Sequence, residues 1–482
     1  MKSKILSSIL IISLILMTGC GNQNAQQSQN PDSSNNNEPT IQDTVTEGTT
    51  EAIENDSLEI EDDAETNLNV DIPDLSTNTS IEETVLFDDG SVKIVAESLD
   101  FEYNSPVLHL NFENNGEKNI SVSSGAMGYN CNSINGYMVT SMYVNTDIAA
   151  GKNSKEDINI SSDELLALGI DKIREIGIAF HITDDENNEY ALTDPSYITT
   201  SDYEENNASD NNFIKVMRSG ILESIYDMKV DYIGEENLLE GEDVQIVSEG
   251  LFTNTDDNSI LFVEMKNTGD KTLRVSSSRI AINGVALTTG LWESNEITAG
   301  KTLVMAMNLS DVTRVAGGTF DSFGISKIAT VETEINCQDL DNNDIFNKVI
   351  TFKFSDGDAP FDKEGNEVYN SNDVRILSRK VTKDTYDNLH VGMLVENNSD
   401  TELRFEVEYD SLSINDTMTD FTAYTLHLQP GKVGILNIEI SGYTLEDSDF
   451  SNPEDVKNAE FKLNITDANY HDIDEAVVKM EY

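Results

Sequence analysis

The chain has little of what makes stapled or metal-built folds. Its 482 residues include three cysteines, five histidines and one tryptophan, Trp292. Three cysteines cannot form a disulfide framework, and no Cys or His pair shows zinc-ligand spacing. Positive charge is the largest deficit. Against 89 Asp and Glu stand 30 Lys and Arg, a formal net charge of −59, and residues 5–92 carry no Lys or Arg at all. A surface this negative repels DNA, RNA and anionic lipid, which excludes them as main partners. The hydrophobic share of 38% still suffices for folded cores, and the length suits about three domains.

Catalytic signatures are missing too. No G-x-S-x-G elbow, H-E-x-x-H helix or C-x-x-C pair occurs. Ala299-Gly300-Lys301-Thr302 resembles the end of a phosphate-binding loop, but the glycine required at position 295 is Asn. The same turn is Ala-Gly-Lys-Asn at 150–153 and Pro-Gly-Lys-Val at 430–433, so it reads as structure. The five histidines (His109, His181, His390, His427, His471) show no ligand spacing, and no cofactor is expected.

At the N-terminus, Lys2 and Lys4 precede the apolar run Ile5–Met17, too short for the roughly 20 residues that span a bilayer. It reads as the apolar part of a secretory signal and ends in Met17-Thr18-Gly19-Cys20. This resembles a lipobox, the bacterial lipoprotein signal, which implies that Cys20 is diacylated and becomes the mature N-terminus. Two acyl chains give the stable anchoring that one cannot. Residues 20–80 follow as an Asn, Ser, Thr and acidic tether whose composition predicts disorder. Its function would be to carry the folded part away from the membrane.

Four blocks then recur three times in the same order. The first is an aromatic or Leu followed five residues later by Val-x-Ile, at Val92, Val244 and Val374. An apolar strand ending at Asn114, Asn267 or Asn397 comes next, then Ile-Asn-Gly/Asp at Asn135, Asn283 and Asn415, then Gly-Lys at Gly151, Gly300 and Gly431. Spacing from the Val to the turn Asn is 22, 23 and 23 residues (92→114, 244→267, 374→397). The period is 148 and then 132 residues (135→283→415), a whole domain each time. Asn114-Asn115-Gly116 and its equivalents predict tight hairpins with positive φ. Ile176–Ile182 predicts one long strand, followed by the acidic tip Asp184–Asn188, with matching tips at Asp339–Asp344 and Asp467–Asp472. Ser161-Ser162-Asp163-Glu164 predicts a capping box opening a short helix that Gly169 stops.

These spacings predict an all-β chain of three tandem sandwiches after a signal peptide and a disordered acidic linker. The expected boundaries are 1–19 for the signal, 20–80 for the tether, 81–205 and 236–357 for the first two sandwiches, and 358–482 for the third. Residues 206–235 read as a linker holding a short helix or extra strand. The short run Asp356–Asn366 predicts rigid packing of the last two units. The repeats resemble small immunoglobulin-like domains of unknown function found in lipoproteins of Gram-positive anaerobes, which implies that fold and an extracellular, membrane-anchored location. That family has no catalytic residues to carry over.

Cys131 and Cys337 are expected as free thiols, with Cys131 buried in the Met/Tyr-rich stretch Met127–Tyr143. That stretch reads as two core strands or as an adaptable contact surface. Asp339-x-Asp341-x-Asn343 begins like a calcium loop but lacks its Gly and closing Glu; Asp356-x-Asp358 with Glu367 is spoiled by Pro360. Calcium at millimolar affinity at best is the expectation, with no tight metal site. The expected role is a non-enzymatic binding or scaffolding lipoprotein at the cell surface. Its partners would be the membrane through the anchor, and wall polymer or a host or bacterial surface protein. The alternatives are an accessory or ligand-binding subunit of an envelope enzyme or transporter, and a passive spacer.

Overall fold

The computed structural model describes Leu75 and residues 79–482, apart from 103–104, 127–128, 205–212, 236, 240, 255–258, 289–292, 310–322, 326, 356–360 and 447. The signal segment, Cys20, the tether through Asn78 (Leu75 apart), Met127, Trp292, Asp356 and Asp358 lie outside the described residues.

The described chain is all-β, built as three sandwiches with one strand order. In the second, Met228–Gly234, Val244–Asn254, Ser259–Asn267 and Thr302–Asn308 form one sheet. Asp344–Lys353, Thr330–Asp339 and Leu273–Ile282 form the facing sheet, with Glu293–Ile297 also paired to Leu273–Ile282. The first sandwich repeats this order with Thr84–Asp88, Val92–Glu102, Ser105–Asn114 and Lys152–Asn159 facing Glu189–Leu192, His181–Asp184, Ile120–Ser124 and Val144–Ile148. The third does so with Asn366–Ser371, Val374–Ser378, Leu389–Asn397 and Val433–Ile440 facing Asp472–Glu481, Asn458–Asp467, Leu403–Val407 and Leu426–Leu428. Alternation drives the layering. In Thr330–Asp339, Val331, Thr333, Ile335 and Cys337 point inward and their neighbours outward.

Two strand-level expectations are corrected. The recurring Asn114, Asn267 and Asn397 close no hairpin, and neither Asn115 nor Gly116 has positive φ. The chain there crosses from one sheet to the other, and the Asn is a buried clip. Asn267 Nδ2 donates to the carbonyls of Lys271 (2.7 Å) and Ile297 (2.8 Å) while Oδ1 accepts from Gly269 N. Asn114 and Asn397 make the same three bonds, to Lys118, Ile148 and Gly116 and to Thr401, Leu428 and Ser399. A crossover leaves polar backbone inside the sandwich, and this amide satisfies it. The strand expected over Ile176–Ile182 is also interrupted. It ends at Ile178 and restarts at His181, because Ala179 N and Phe180 N bond to the side chains of Asn132 and Thr193.

The true tight hairpins are the Ile-Asn-Gly/Asp blocks. Asn135 and Gly136, Asn283 and Gly284, and Asn415 and Asp416 all have positive φ, as a two-residue hairpin of this hand requires. The Gly-Lys turns are four-residue turns closed by Lys152 N to Ala149 O, Lys301 N to Thr298 O and Lys432 N to Gln429 O, with Gly at the positive-φ corner.

Ser161 caps the helix Ser162–Ala167 as expected, accepting from Glu164 N at 3.2 Å. The Glu164 carboxylate completes no box; it takes the amides of Thr140 and Ser141 instead. The described residues of 206–235 contain two helices, Phe213–Ser219 and Ile221–Tyr226, and the strand Met228–Gly234. Phe213, Val216, Met217 and Leu222 enter the first core, while Met228–Gly234 pairs with Val244–Asn254 of the second sandwich. The two helices form the wedge between the units, and the strand belongs to the second sandwich.

Candidate functional site

The chemistry-bearing side chains are dispersed. Each histidine faces a carboxylate: His109–Asp157 (2.6 Å), His181–Glu189 (3.6 Å), His390–Asp384 (3.0 Å), His427–Glu402 (3.6 Å) and His471–Asp467 (2.9 Å). The buried His390–Asp384 pair has the look of a catalytic dyad. The second ring nitrogen of His390 meets Asn437 Nδ2 at 3.1 Å, so neither nitrogen is left to serve a nucleophile. Among the described residues no group of three or more His, Cys, Asp or Glu is placed to hold a metal ion. In the acidic tip, Asp339 Oδ1 accepts the amides of Asp341 and Asn343, and the Asn343 side chain reaches both its oxygens. Those donors from Asn343 hold the Asp339 carboxyl below its usual range. Asp184, Asp384 and Asp467 accept amides two and four residues on in the same way. The first acid of each tip is thus a turn-former.

Cys131 and Cys337 are buried free thiols. Burial pushes them up to about 11 and about 12, away from nucleophilic thiolate. A recess between the helices Ser162–Ala167 and Phe213–Ser219 has a volume of about 190 Å3, below the roughly 300–1,000 Å3 of most small-molecule sites.

What the fold does assemble is a pair of matching junctions between repeats. At the first junction the strands Ser196–Thr199, Glu175–Ile178, Ser133–Ile134 and Tyr137–Met138 of the first repeat run into the first sheet of the second sandwich, giving an eight-stranded sheet. At the second, the second sheet of the second sandwich runs through Val285–Leu287 into the first sheet of the third, giving an eleven-stranded sheet. At each junction the returning arm of the Asn hairpin lies parallel to the strand that follows the next repeat's Gly-Lys turn. Tyr137 stands opposite Thr302, whose amide donates to Gly136 O at 2.8 Å. Val285, Ala286 and Leu287 stand opposite Val433, Gly434 and Ile435.

The Gly-Lys lysine completes each junction. Lys301 Nζ reaches Glu175 Oε1 of the first repeat at 2.8 Å, and Lys432 Nζ reaches Glu332 Oε1 of the second at 3.2 Å. Apolar contacts cross as well. Met138 of the first repeat belongs to the second core, while Leu377, Leu394 and Ile435 of the third repeat also pack into that core. The Met/Tyr-rich stretch, read from sequence as two core strands or as a contact surface, serves as both: Ile134, Tyr137, Val139 and Met142 pack in the first core, and Met138 reaches the second. Glu175 and Glu332 carried no sequence signal, since neither belongs to a recurring block.

No family model matches the chain, and no curated protein does. Among solved structures, a protein of unknown function from Porphyromonas gingivalis W83 aligns over 47% of this chain and 92% of its own, at 9% identity and a TM-score of 0.14. The YadV chaperone aligns over 46% and 92%, at 9% identity and a TM-score of 0.15. The Amycolatopsis orientalis exo-chitosanase CsxA aligns over 84% and 79%, at 6% identity and a TM-score of 0.16. At such scores the likenesses carry no argument about function, and the fold stands on its own strand order.

Proposed function

We propose that the chain is a lipid-anchored protein of the outer face of the cytoplasmic membrane, acting as a non-catalytic binding or scaffolding array. Sheet continuity across both repeat junctions supports this reading most directly. Domains strung on flexible linkers sample many orientations, whereas sandwiches that share sheets and cores present their loops and edges at fixed spacing. Rigid spacing lets weak contacts on successive repeats add with little loss of freedom. The dispersal of titratable groups fits the same role, because catalysis needs them converged on one substrate.

Membrane attachment rests on Met17-Thr18-Gly19-Cys20. In a bacterial host, wild-type protein should partition into the membrane fraction as an acylated mature form. Cys20→Ala should appear in the medium or as unprocessed precursor. Recovery of a mature-size, acylated Cys20→Ala product would refute the anchor. The binding role is tested by passing the chain from Gly21 onward over wall polymer and host glycoproteins. Retention is expected, and it should weaken when one repeat's loops are altered; turnover of any retained polymer would replace this reading with an enzymatic one.

A further inference from the structure

Each repeat carries two halves of a junction: a donor, the Asn hairpin, and an acceptor, the strand after the Gly-Lys turn. Three repeats in a row use two such pairs. Among the described residues, this leaves one acceptor on the first repeat and one donor on the third without such a pairing.

Both leftover halves keep the geometry of the used ones. On the third repeat, Asn415 has φ of 50°, close to the 49° and 52° of Asn135 and Asn283, and Asp416 keeps a positive φ, 64°, where Gly136 and Gly284 have 90° and 78°. Asn415 is fixed by Lys457 N and the Asp455 carbonyl, as Asn135 is by Arg174 N and the Lys172 carbonyl. Met418 holds the position of Met138 and Ala286. Met138 is 6% exposed in the second core and Ala286 packs against the third, whereas Met418 is 63% exposed. On the first repeat, Lys152 closes the same turn onto Ala149 O, and Lys152–Asn159 is the outermost strand of its sheet.

Charge matches as well. Lys301 and Lys432 each meet a carboxylate of the preceding repeat, while Lys152 makes no ion pair among the described residues. The third repeat keeps the receiving acid. Glu460 stands opposite Ser413 as Glu332 stands opposite Ala281, and its present partner, Lys479, is exposed.

We propose that the Asn415 hairpin of the third repeat docks in parallel on the Lys152–Asn159 strand of a second copy of this chain. Thr417 lies opposite Asn153 as Tyr137 lies opposite Thr302, and Lys152 pairs with Glu460. The contact is head-to-tail and therefore heterologous, so copies add in one direction. It is also weak. Where the second repeat turns Phe262, Val304 and Ala306 toward its predecessor, the first turns His109, Lys155 and Asp157, so strand rungs, one ion pair and Met418 carry the contact. The net charge of −59 opposes association further.

The test uses the chain from Gly21 onward, whose remaining cysteines are the buried Cys131 and Cys337. Mixing Asn153→Cys with Thr417→Cys under mild oxidation should give disulfide-linked dimers of the two variants with each other. They should form at least several-fold faster than in a mixture of Asp185→Cys with Thr417→Cys. Equal rates, or preferential Thr417→Cys self-dimers, would overturn the proposal, the latter pointing to a tail-to-tail contact. Sedimentation titrated to about 1 mM, where contacts this small register, should show mass rising with concentration and more steeply in added salt. Met418→Asp should abolish the rise; an unchanged rise, or none in the parent, counts against the proposal. Lys152→Glu and Glu460→Lys should each weaken association and the double variant should recover it, with thermal melts confirming that each variant folds. Failure of the double variant to recover would remove the ion pair from the proposal and with it the head-to-tail register.

Discussion

Tyr137 of the first repeat donates its hydroxyl hydrogen to Glu264 Oε1 of the second, 2.8 Å away, with both side chains almost wholly buried. Ser248 Oγ supplies a second donor, to Oε2, at 2.6 Å. The carboxylate sits on the face of the second repeat's sheet that meets the first, so this triplet ties the junction with polar groups inside it. Tyr137→Phe keeps the ring and removes one donor. Hydrogen bonds to charged groups contribute about 1.5–3 kcal/mol, and the variant should lose that much in urea denaturation, without change in the secondary-structure spectrum.

Glu264 also sets a pH dependence. Burial pushes its carboxyl above the ordinary Glu value of 4.5, against the pull of the Ser248 and Tyr137 hydroxyls. A raised carboxyl binds its proton more readily in the folded chain than in the unfolded one. Its contribution to stability is therefore fully present below 4.5 and declines as pH rises through the raised value. Glu264→Gln keeps the shape and removes the buried charge. At about pH 7 the variant should be at least as stable as wild type, and the difference should shrink on acidification toward 4.5. Melting temperatures compared across that range decide it; a variant that loses more stability at neutral pH than at acid pH contradicts the assignment.

The buried clip gives a sharper test of packing against hydrogen bonding. Asn267→Asp is nearly isosteric, yet it sets an acceptor against the carbonyls of Lys271 and Ile297 and buries a charge. Two lost bonds plus unsatisfied buried carbonyls come to roughly 3 kcal/mol or more. Asn267→Ala should cost about as much, so shape is not what the position requires. Equal stability of Asn267→Asp and wild type in urea would show that the clip is dispensable.

Turn chemistry was legible in the sequence because it is local. Ile-Asn-Gly and small-Gly-Lys contain the residues that tolerate positive φ, and both became turns in each repeat. The Asn114, Asn267 and Asn397 motif was legible as a repeat and misread as a hairpin. A hairpin and an inter-sheet crossover share that short signature, and the partners that separate them lie 30 to 34 residues away, at Ile148, Ile297 and Leu428. The junctions were further out of reach. Tyr137 and Glu264 are 127 residues apart, Lys301 and Glu175 are 126, and no periodicity couples such positions. Strand order could be inferred repeat by repeat; that the repeats share sheets could not.

Gly431 isolates a purely backbone requirement. Its φ is 70°, and a Cβ added there meets nothing within 4 Å. Gly431→Ala should therefore cost only the left-handed penalty of about 1–2 kcal/mol, and Gly431→Asn less, because Asn tolerates that region. Gly434 makes the contrast. Its Cβ would come within 3.0 Å of two Leu426 methyls and 3.2 Å of the Ala286 carbonyl across the junction. Gly434→Ala should loosen the contact between the second and third repeats, seen as faster amide exchange at Val285–Leu287. If Gly431→Ala instead opened the junction, the turn would be doing more than setting φ.

The two thiols report on the cores independently. Burial, ahead of nearby acid groups, pushes Cys131 up to about 11 and Cys337 up to about 12 from an ordinary 9.0. In the chain from Gly21 onward, iodoacetamide at about pH 8 should label neither thiol in the native state, and should label both once urea unfolds the protein. A raised thiol also favours the folded state below 9.0 and gives that advantage up as pH climbs through 11 and 12. Stability should accordingly fall on alkalinisation above 9.0, and Cys337→Ala should show a shallower fall from a lower starting point, because it leaves a small cavity. Rapid native-state labelling of Cys337 would mean that the second core opens locally, and the rigid coupling of neighbouring repeats would fail with it.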